Sequence, residues 1–233
     1  MITLRPAIER GQLDHGWLDA RHSFSFGQYH DPEHMGFRAL RVINEDRVQG
    51  GGGFGMHGHR DMEIITYVIE GALNHKDSMG NEAGIPAGAF QRMSAGSGVR
   101  HSEYNGSETD RVHLLQIWIL PDEEGIEPEF DEREPNPEAA HNRLRPVVAP
   151  DGRDGAMVIH QDAALYHARL DAGVEVTHPL AEGRHAWVQV ARGTVAVNGT
   201  TLSAGDGAAL SEEAAVTITG GAEGGEVLLF DLN

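Results

Sequence analysis

The 233-residue sequence predicts an all-β protein built from two copies of one unit, on three observations. Helical periodicity is scarce, short apolar runs closed by turn residues recur along the chain, and one strand–glycine–hairpin pattern occurs twice. The runs are "HSFSF", "ALRVI", "EIITYVIEG", "LLQIWIL", "WVQVARGTVAVNG", "AVTIT" and "EVLLFDL", rich in the β-branched and aromatic side chains that suit a pleated surface.

The 30 glycines and 10 prolines between these runs supply the tight turns of a sandwich or barrel. In "TVAVNGTTL" the Asn198–Gly199 pair predicts a two-residue hairpin, because both residues tolerate positive φ. The repeat sets "YVIEGALNH…IPAGAFQRMSAG" beside "VQVARGTVAVNG…LSAGDGAALSE", with Gly71 against Gly193 and Ala87–Gly88 against Ala204–Gly205. Residues 160–170, "HQDAALYHARL", fit either a short helix or another strand. Residues 121–138 break the pattern: four prolines and nine carboxylates against one arginine read as a solvated boundary, not a core strand. The resulting division is a first unit over 1–133, a linker over 134–145 and a second unit over 146–233.

A net charge of −18, from 36 acidic and 18 basic residues, disfavours direct binding to nucleic acid or to an anionic membrane surface. The sequence has no cysteine, so any metal site must use nitrogen and oxygen ligands. No signal-like segment opens it and no apolar run reaches membrane-span length, so a soluble cytoplasmic protein is expected.

The stretch "GFGMHGHRDME" carries His57 and His59 one residue apart. With 14 histidines in the chain, about one such pair arises by chance. A second pair, His101 and Glu103 in "GVRHSEYN", changes its weight. On a strand, residues two apart share a face about 6.6 Å from each other, so each pair aims two ligand atoms the same way. If the two strands are neighbours, the four groups converge inside the barrel. Three imidazoles and a carboxylate suit divalent iron, nickel, copper, manganese or zinc, and leave two positions of an octahedral ion open. The competing reading is separate strand histidines, each hydrogen-bonded locally.

The segments "HSFSFGQYHDPEHMGFRALRVINEDRV", "GFGMHGHRDMEIITYVIEG", "DSMGNEAGIPAGAFQRMSAGSGVRHSEYN" and "VHLLQIWILP", with the "EVLLFDL" terminus, resemble the pirin family of the cupin superfamily. The likeness is to its bacterial members described as quercetin 2,3-dioxygenases; it runs over nearly the whole chain and is densest from 22 to 121. It implies a bicupin, two β-barrels face to face with few short helices. The N-terminal cupin (1–133) holds one metal, and the C-terminal cupin (146–233) holds none. It implies His57, His59, His101 and Glu103 as ligands. Of the ions, Fe(II) is favoured, with Ni, Cu, Co, Mn or Zn as alternatives. Glu63, at the cupin motif's glutamate position, is expected to support the strand instead.

The implied activity is ring opening of a flavonol such as quercetin with O2 and release of CO, with Glu103 as catalytic base toward the 3-hydroxyl. The other implied role is a metal-bound redox-sensing regulator that binds a partner protein. A monomer is expected. In the second unit, Pro179 and Ala181 align with His57 and His59, and Ile218 and Gly220 with His101 and Glu103, so no ligand set survives there. His178 and His185 are expected at the surface or in loops. His22, His30, His34, His75 and His113 are expected to be hydrogen-bonded or exposed. Phe24, Phe26, Phe90, Met93 and Trp118 are expected in the core, a minority of them lining a pocket.

Overall fold

The computed structural model describes residues 1–233 and is a bicupin built almost wholly of strands. In the first half these are β1 (Ile2–Arg5), β2 (Gly11–Asp14), β3 (Leu18–His22), β4 (Leu40–Val48), β5 (Gly53–His59), β6 (Glu63–Glu70), β7 (Ala72–Asp77), β8 (Glu82–Pro86), β9 (Phe90–Ser94), β10 (Val99–Asn105), β11 (Val112–Ile119) and β12 (Glu129–Arg133). After the one short α-helix, α1 (Pro137–Ala140), come β13 (Arg145–Val148), β14 (Ala163–Leu170), β15 (Glu175–Pro179), β16 (His185–Val197), β17 (Thr200–Ser203), β18 (Gly207–Leu210) and β19 (Ala215–Leu232), with 3-10 turns at Ala7–Glu9 and Arg153–Gly155. The undecided segment 160–170 is therefore strand β14. No helix is long and apolar enough to cross a membrane.

The first barrel sets a seven-stranded sheet, β12-β9-β6-β11-β4-β3-β2, against a four-stranded sheet, β5-β10-β7-β8. The second is one continuous sheet, β1-β18-β16-β19-β14-β13 with β15 and β17 attached, because β16 and β19 are long enough to bend through both faces. Asn198 and Gly199 close β16 onto β17 with φ of 45° and 81°, as the hairpin reading requires.

The repeat is a repeat of hydrogen bonds. Ala87 N–H donates to the Gly71 carbonyl and Gly88 N–H to that of Val68; Ala204 N–H donates to Gly193 and Gly205 N–H to Val190. Gly71 and Gly193 both have positive φ, and a Cβ at either would stand 2.9 Å from Arg111 O or 2.5 Å from Gly224 O. Only glycine fits this turn.

One strand changes sides, and another forms where the composition reads as a solvated boundary. β1, which the sequence division assigns to the first unit, pairs with β18 in the second barrel (Ile2↔Leu210). The acidic boundary segment supplies β12, which pairs with β9 at the rim of the first barrel. Its composition conceals it because an edge strand that is mostly half-buried tolerates carboxylates that a core strand would not.

The barrels meet through an apolar layer. Ile43, Ile65, Tyr67, Phe90, Leu115 and Ile117 from the first pack against Leu165, Trp187, Leu228 and Phe230 from the second. Fully burying each large side chain contributes about 1.5–3 kcal/mol. The central strands β6 and β11 are thus covered on both faces, which is why "EIITYVIEG" and "LLQIWIL" show no alternation. Their other residues, including Thr66 and Gln116, turn into the first barrel.

Candidate metal centre

β5 and β10 are hydrogen-bonded neighbours, with His57 directly opposite His101 and His59 opposite Val99. Between His57 and Phe54 the register slips by one residue: β5 spends three residues where β10 spends two, so Glu103 lies opposite Phe54. The close approach needs Gly53, whose Cβ would stand 2.5 Å from Glu103 O. The His57 and His101 ring centroids lie 4.4 Å apart, those of His57 and His59 4.9 Å, and those of His59 and His101 4.8 Å.

Three imidazoles thus converge, His57 and His59 half-buried at the mouth and His101 fully buried. His57 Nδ1 is 2.7 Å from the Gly55 carbonyl, to which it donates, so its Nε2 lone pair is free. Neither ring nitrogen of His101 has a hydrogen-bond partner. A buried imidazole with two orphaned nitrogens beside two others is costly on its own terms and fits a metal ligand. Burial, then the neighbouring imidazoles, lowers His101 to about 3, and burial, then His57, lowers His59 to about 4. Both are neutral at pH 7, with lone pairs available.

Glu103 is buried beside His101 and is grouped with His101 and His75, not directly with His57 and His59. Gln116 Nε2 donates to Glu103 Oε2 at 2.9 Å, and Thr66 Oγ1 lies 2.6 Å from Gln116 Oε1 and 3.4 Å from Glu103 Oε1. Burial pushes the Glu103 carboxyl up to about 7 against these two hydrogen bonds. Asp46, wholly buried nearby, also rises to about 7, first through burial and then through the Glu103 charge. Thr66, Gln116 and Asp46 were not picked out in the sequence: their strands carry apolar residues toward the second barrel on the other face.

The other histidines divide cleanly. His75 is buried but engaged: it accepts from Gln91 at 3.2 Å and donates to Asp77 at 3.3 Å. His22 bonds Asn44, His34 bonds Asp31 and His113 bonds Glu45, while His30 is exposed. Glu63 accepts from Ser94 Oγ at 2.7 Å and stands outside the metal-binding groups. Phe24, Phe90 and Met93 are core residues, whereas Trp118 stands edge-on to His59 at 4.9 Å and to Phe26 at 5.2 Å, forming a wall of the site.

The second barrel corrects the alignment. His178 pairs with Val216 as His57 pairs with His101, and Val197 pairs with Ile218 as His75 pairs with Glu103. The counterparts of the four groups are therefore His178, Leu180, Val216 and Ile218. Pro179 was one residue off and Gly220 two, because His178 lies 15 residues before Gly193 where His57 lies 14 before Gly71, and Val216 lies 11 after Gly205 where His101 lies 13 after Gly88. One imidazole survives, but with no second ligand. His178 is a half-buried strand residue bonded to Asp231 at 2.8 Å, and His185 begins β16, bonded to Ser211; neither is a loop residue.

The chain matches the Pirin family model over residues 3–119 and the model described as the quercetinase C-terminal cupin domain over residues 146–232. It is 51% identical to the quercetin 2,3-dioxygenase of Escherichia coli (strain K12), over 100% of this chain and 99% of that one. It superposes on the crystal structure of YhhW from Escherichia coli with a TM-score of 0.96 at 51% identity, covering 100% of this chain and 98% of the other. On the nickel(II) complex of the bacterial pirin YhhW from the same organism the TM-score is 0.94 at 50% identity, with 100% and 99% covered. Two barrels, three converging imidazoles in the first only, and both family models in register with them place the chain in the pirin family.

Proposed function

We propose that the protein is a metal-dependent dioxygenase that opens the heterocyclic ring of a flavonol such as quercetin with O2 and releases CO. The observation that carries this reading is the His101 ring, buried with both nitrogens bare, facing His57 and His59 above a buried carboxylate. His57, His59, His101 and Glu103 would hold one divalent ion, with Fe(II) our preferred ion and nickel(II) the one named for the relative's crystal structure. When bound, that ion supplies Lewis acidity and an open coordination sphere for the flavonolate and O2.

The chain's own groups handle the proton. Glu103, buried beside His101 with Gln116 donating to its Oε2, is placed to take the 3-hydroxyl proton of the flavonol. Gln116 orients the carboxylate, and the Thr66–Gln116 bond fixes the Gln116 amide. Trp118 and Phe26 give an aromatic substrate a flat apolar wall beside His59 and restrict water.

The test is turnover of quercetin by metal-loaded protein, followed as O2 consumption with CO release. Glu103→Gln is expected to lower kcat by about 100-fold or more. Unchanged turnover in that variant would remove the role given to Glu103, and no turnover with any divalent ion would remove the flavonol reading.

A further inference from the structure

At the open end of the barrel junction, on the side of α1, lies a cleft of about 330 Å³ lined by residues of both barrels and of the linker. The second barrel's sheet builds its cationic wall by register. Arg169 on β14, Glu226 on β19 and Arg192 on β16 lie side by side across three strands, and in the next row Arg145 on β13 pairs with His167 on β14. The opposite wall, from Tyr67, Ile69, Ala87 and the prolines at 135 and 137, is largely apolar.

The one carboxylate on the cationic wall is already saturated. Glu226 accepts from the Tyr67 hydroxyl, pairs with His167 at 2.8 Å and lies 3.4 Å from Arg192 Nε. Arg192 is also spent, on Glu70 and the Ile69 carbonyl. Arg145 and Arg169 make no hydrogen bond or ion pair through their guanidinium groups, although Arg169 is close enough to act on both Tyr67 and Glu226. Arg145 is held below the usual arginine range by burial and by Arg133 behind it. In a chain with twice as many acidic as basic residues, one half-buried and one exposed guanidinium group, neither of them in an ion pair, lie in the same cleft.

The internal repeat supplies the control. The matching cleft on the other side of the junction places Arg21, Glu45, Arg47, Glu70 and His113 where this one has Arg145, His167, Arg169, Arg192 and Glu226. There the cations are consumed: Arg10 and Arg47 each pair with Glu45 at 2.7 Å, and Arg21 pairs with Asp19. The same architecture pairs its cations internally on one side and leaves two cations unpaired on the other.

We propose that Arg145 and Arg169 form a binding site, separate from the metal centre, for a small organic anion: a carboxylate or phosphate ester on a compact apolar body. The guanidinium groups take the anion in charge-assisted hydrogen bonds, and Tyr67, Ile69 and the linker prolines cover the body. Tyr67 follows Thr66 on β6, whose hydroxyl faces Gln116 and Glu103, so occupancy of the cleft is one residue of backbone away from the Glu103 network.

The test titrates the full-length protein at low ionic strength with inorganic phosphate and, separately, with benzoate, by calorimetry and by amide chemical shifts at Gly88 and Asn136. Saturable one-site binding of at least one probe is expected, and the stronger arm tells a phosphate-ester ligand from a carboxylate one. Arg145→Gln/Arg169→Gln should weaken it on the order of tenfold or more. Arg47→Gln in the sister cleft, and chelation of the metal, should leave it unchanged. No saturable binding of either probe, binding kept within twofold in the double variant, or binding lost on chelation would each overturn the site; none of these bears on flavonol turnover.

Discussion

The two barrels share a backbone plan down to individual turn hydrogen bonds, yet their interiors are opposites. The first holds His57, His59, His101, Glu103, Thr66, Gln116 and Asp46; the same positions of the second hold His178, Leu180, Val216, Ile218, Val188, Leu229 and Ala168. The second interior is a continuous apolar cluster, close-packed in the ordinary way. The first is split into smaller clusters around a polar centre. One scaffold therefore supports either a filled core or a reactive pocket, and the choice lies in about seven inward-facing side chains. The filled barrel and the shared apolar layer supply stability that the hollow one forgoes.

The comparison can be broken outright at the metal. His57→Ala/His101→Ala should remove bound metal from the isolated protein, read by elemental analysis; full occupancy in this variant would refute the centre. A sharper test converts one interior into the other. Thr66→Val/Glu103→Ile/Gln116→Leu gives the first barrel the second barrel's side chains at three of these seven positions. Turnover should vanish while the melting temperature of metal-free protein holds or rises, because a buried carboxylate network is replaced by apolar groups of similar volume. A fall equivalent to more than about 2 kcal/mol would show that the polar centre is itself structural.

The clefts give a third test, through pH. Glu45 is buried, which works against its charge, but His113, Arg10 and Arg47 overcome that and hold its carboxyl well below the usual range. A depressed folded pKa means that its stabilisation is fully present above about pH 4.5, the unfolded value, and is lost as pH falls toward the folded one. Glu45→Gln should cost about 3 kcal/mol at pH 7, by leaving Arg10 buried without its partner, and should flatten the acid limb of a melting-temperature profile between pH 5 and pH 2. The smallest effect belongs to the lone surviving imidazole. His178→Leu should leave metal content and turnover unchanged and shift stability by about 1 kcal/mol through the lost Asp231 contact.

Much of the candidate metal centre was legible because it rests on a period of two. Each pair of proposed ligands sits two residues apart, so neither needs any knowledge of the other barrel to be seen. The repeat was legible through its glycines, where a positive φ leaves no alternative residue. What supports Glu103 was hidden: β6 and β11 are covered on both faces, so Thr66 and Gln116 sit among apolar neighbours and no alternation marks which side they face. The counterparts in the second barrel were misplaced by one and two residues because the run of chain between each glycine anchor and its ligand position differs in length between the barrels, which glycine anchors in the turns do not reveal. β12 was missed because its rim position permits acidic side chains. β1 gave no local sign of its partner, some two hundred residues away.

That last pairing bears on how the chain reaches its structure. β1 completes the second barrel's sheet beside β18, so this edge stays open until residues 207–210 exist and the segment around 2–5 has returned to them. Closing so long a loop is entropically slow, but it ties the two barrels into one cooperative unit. A cut in the linker yields no clean halves: residues 146–233 alone would present β18 as a bare, pairing-prone edge. Supplying residues 1–10 in trans, or fusing them after residue 233, should restore a closed barrel. The first few residues are, in assembly terms, the last brace of the opposite barrel.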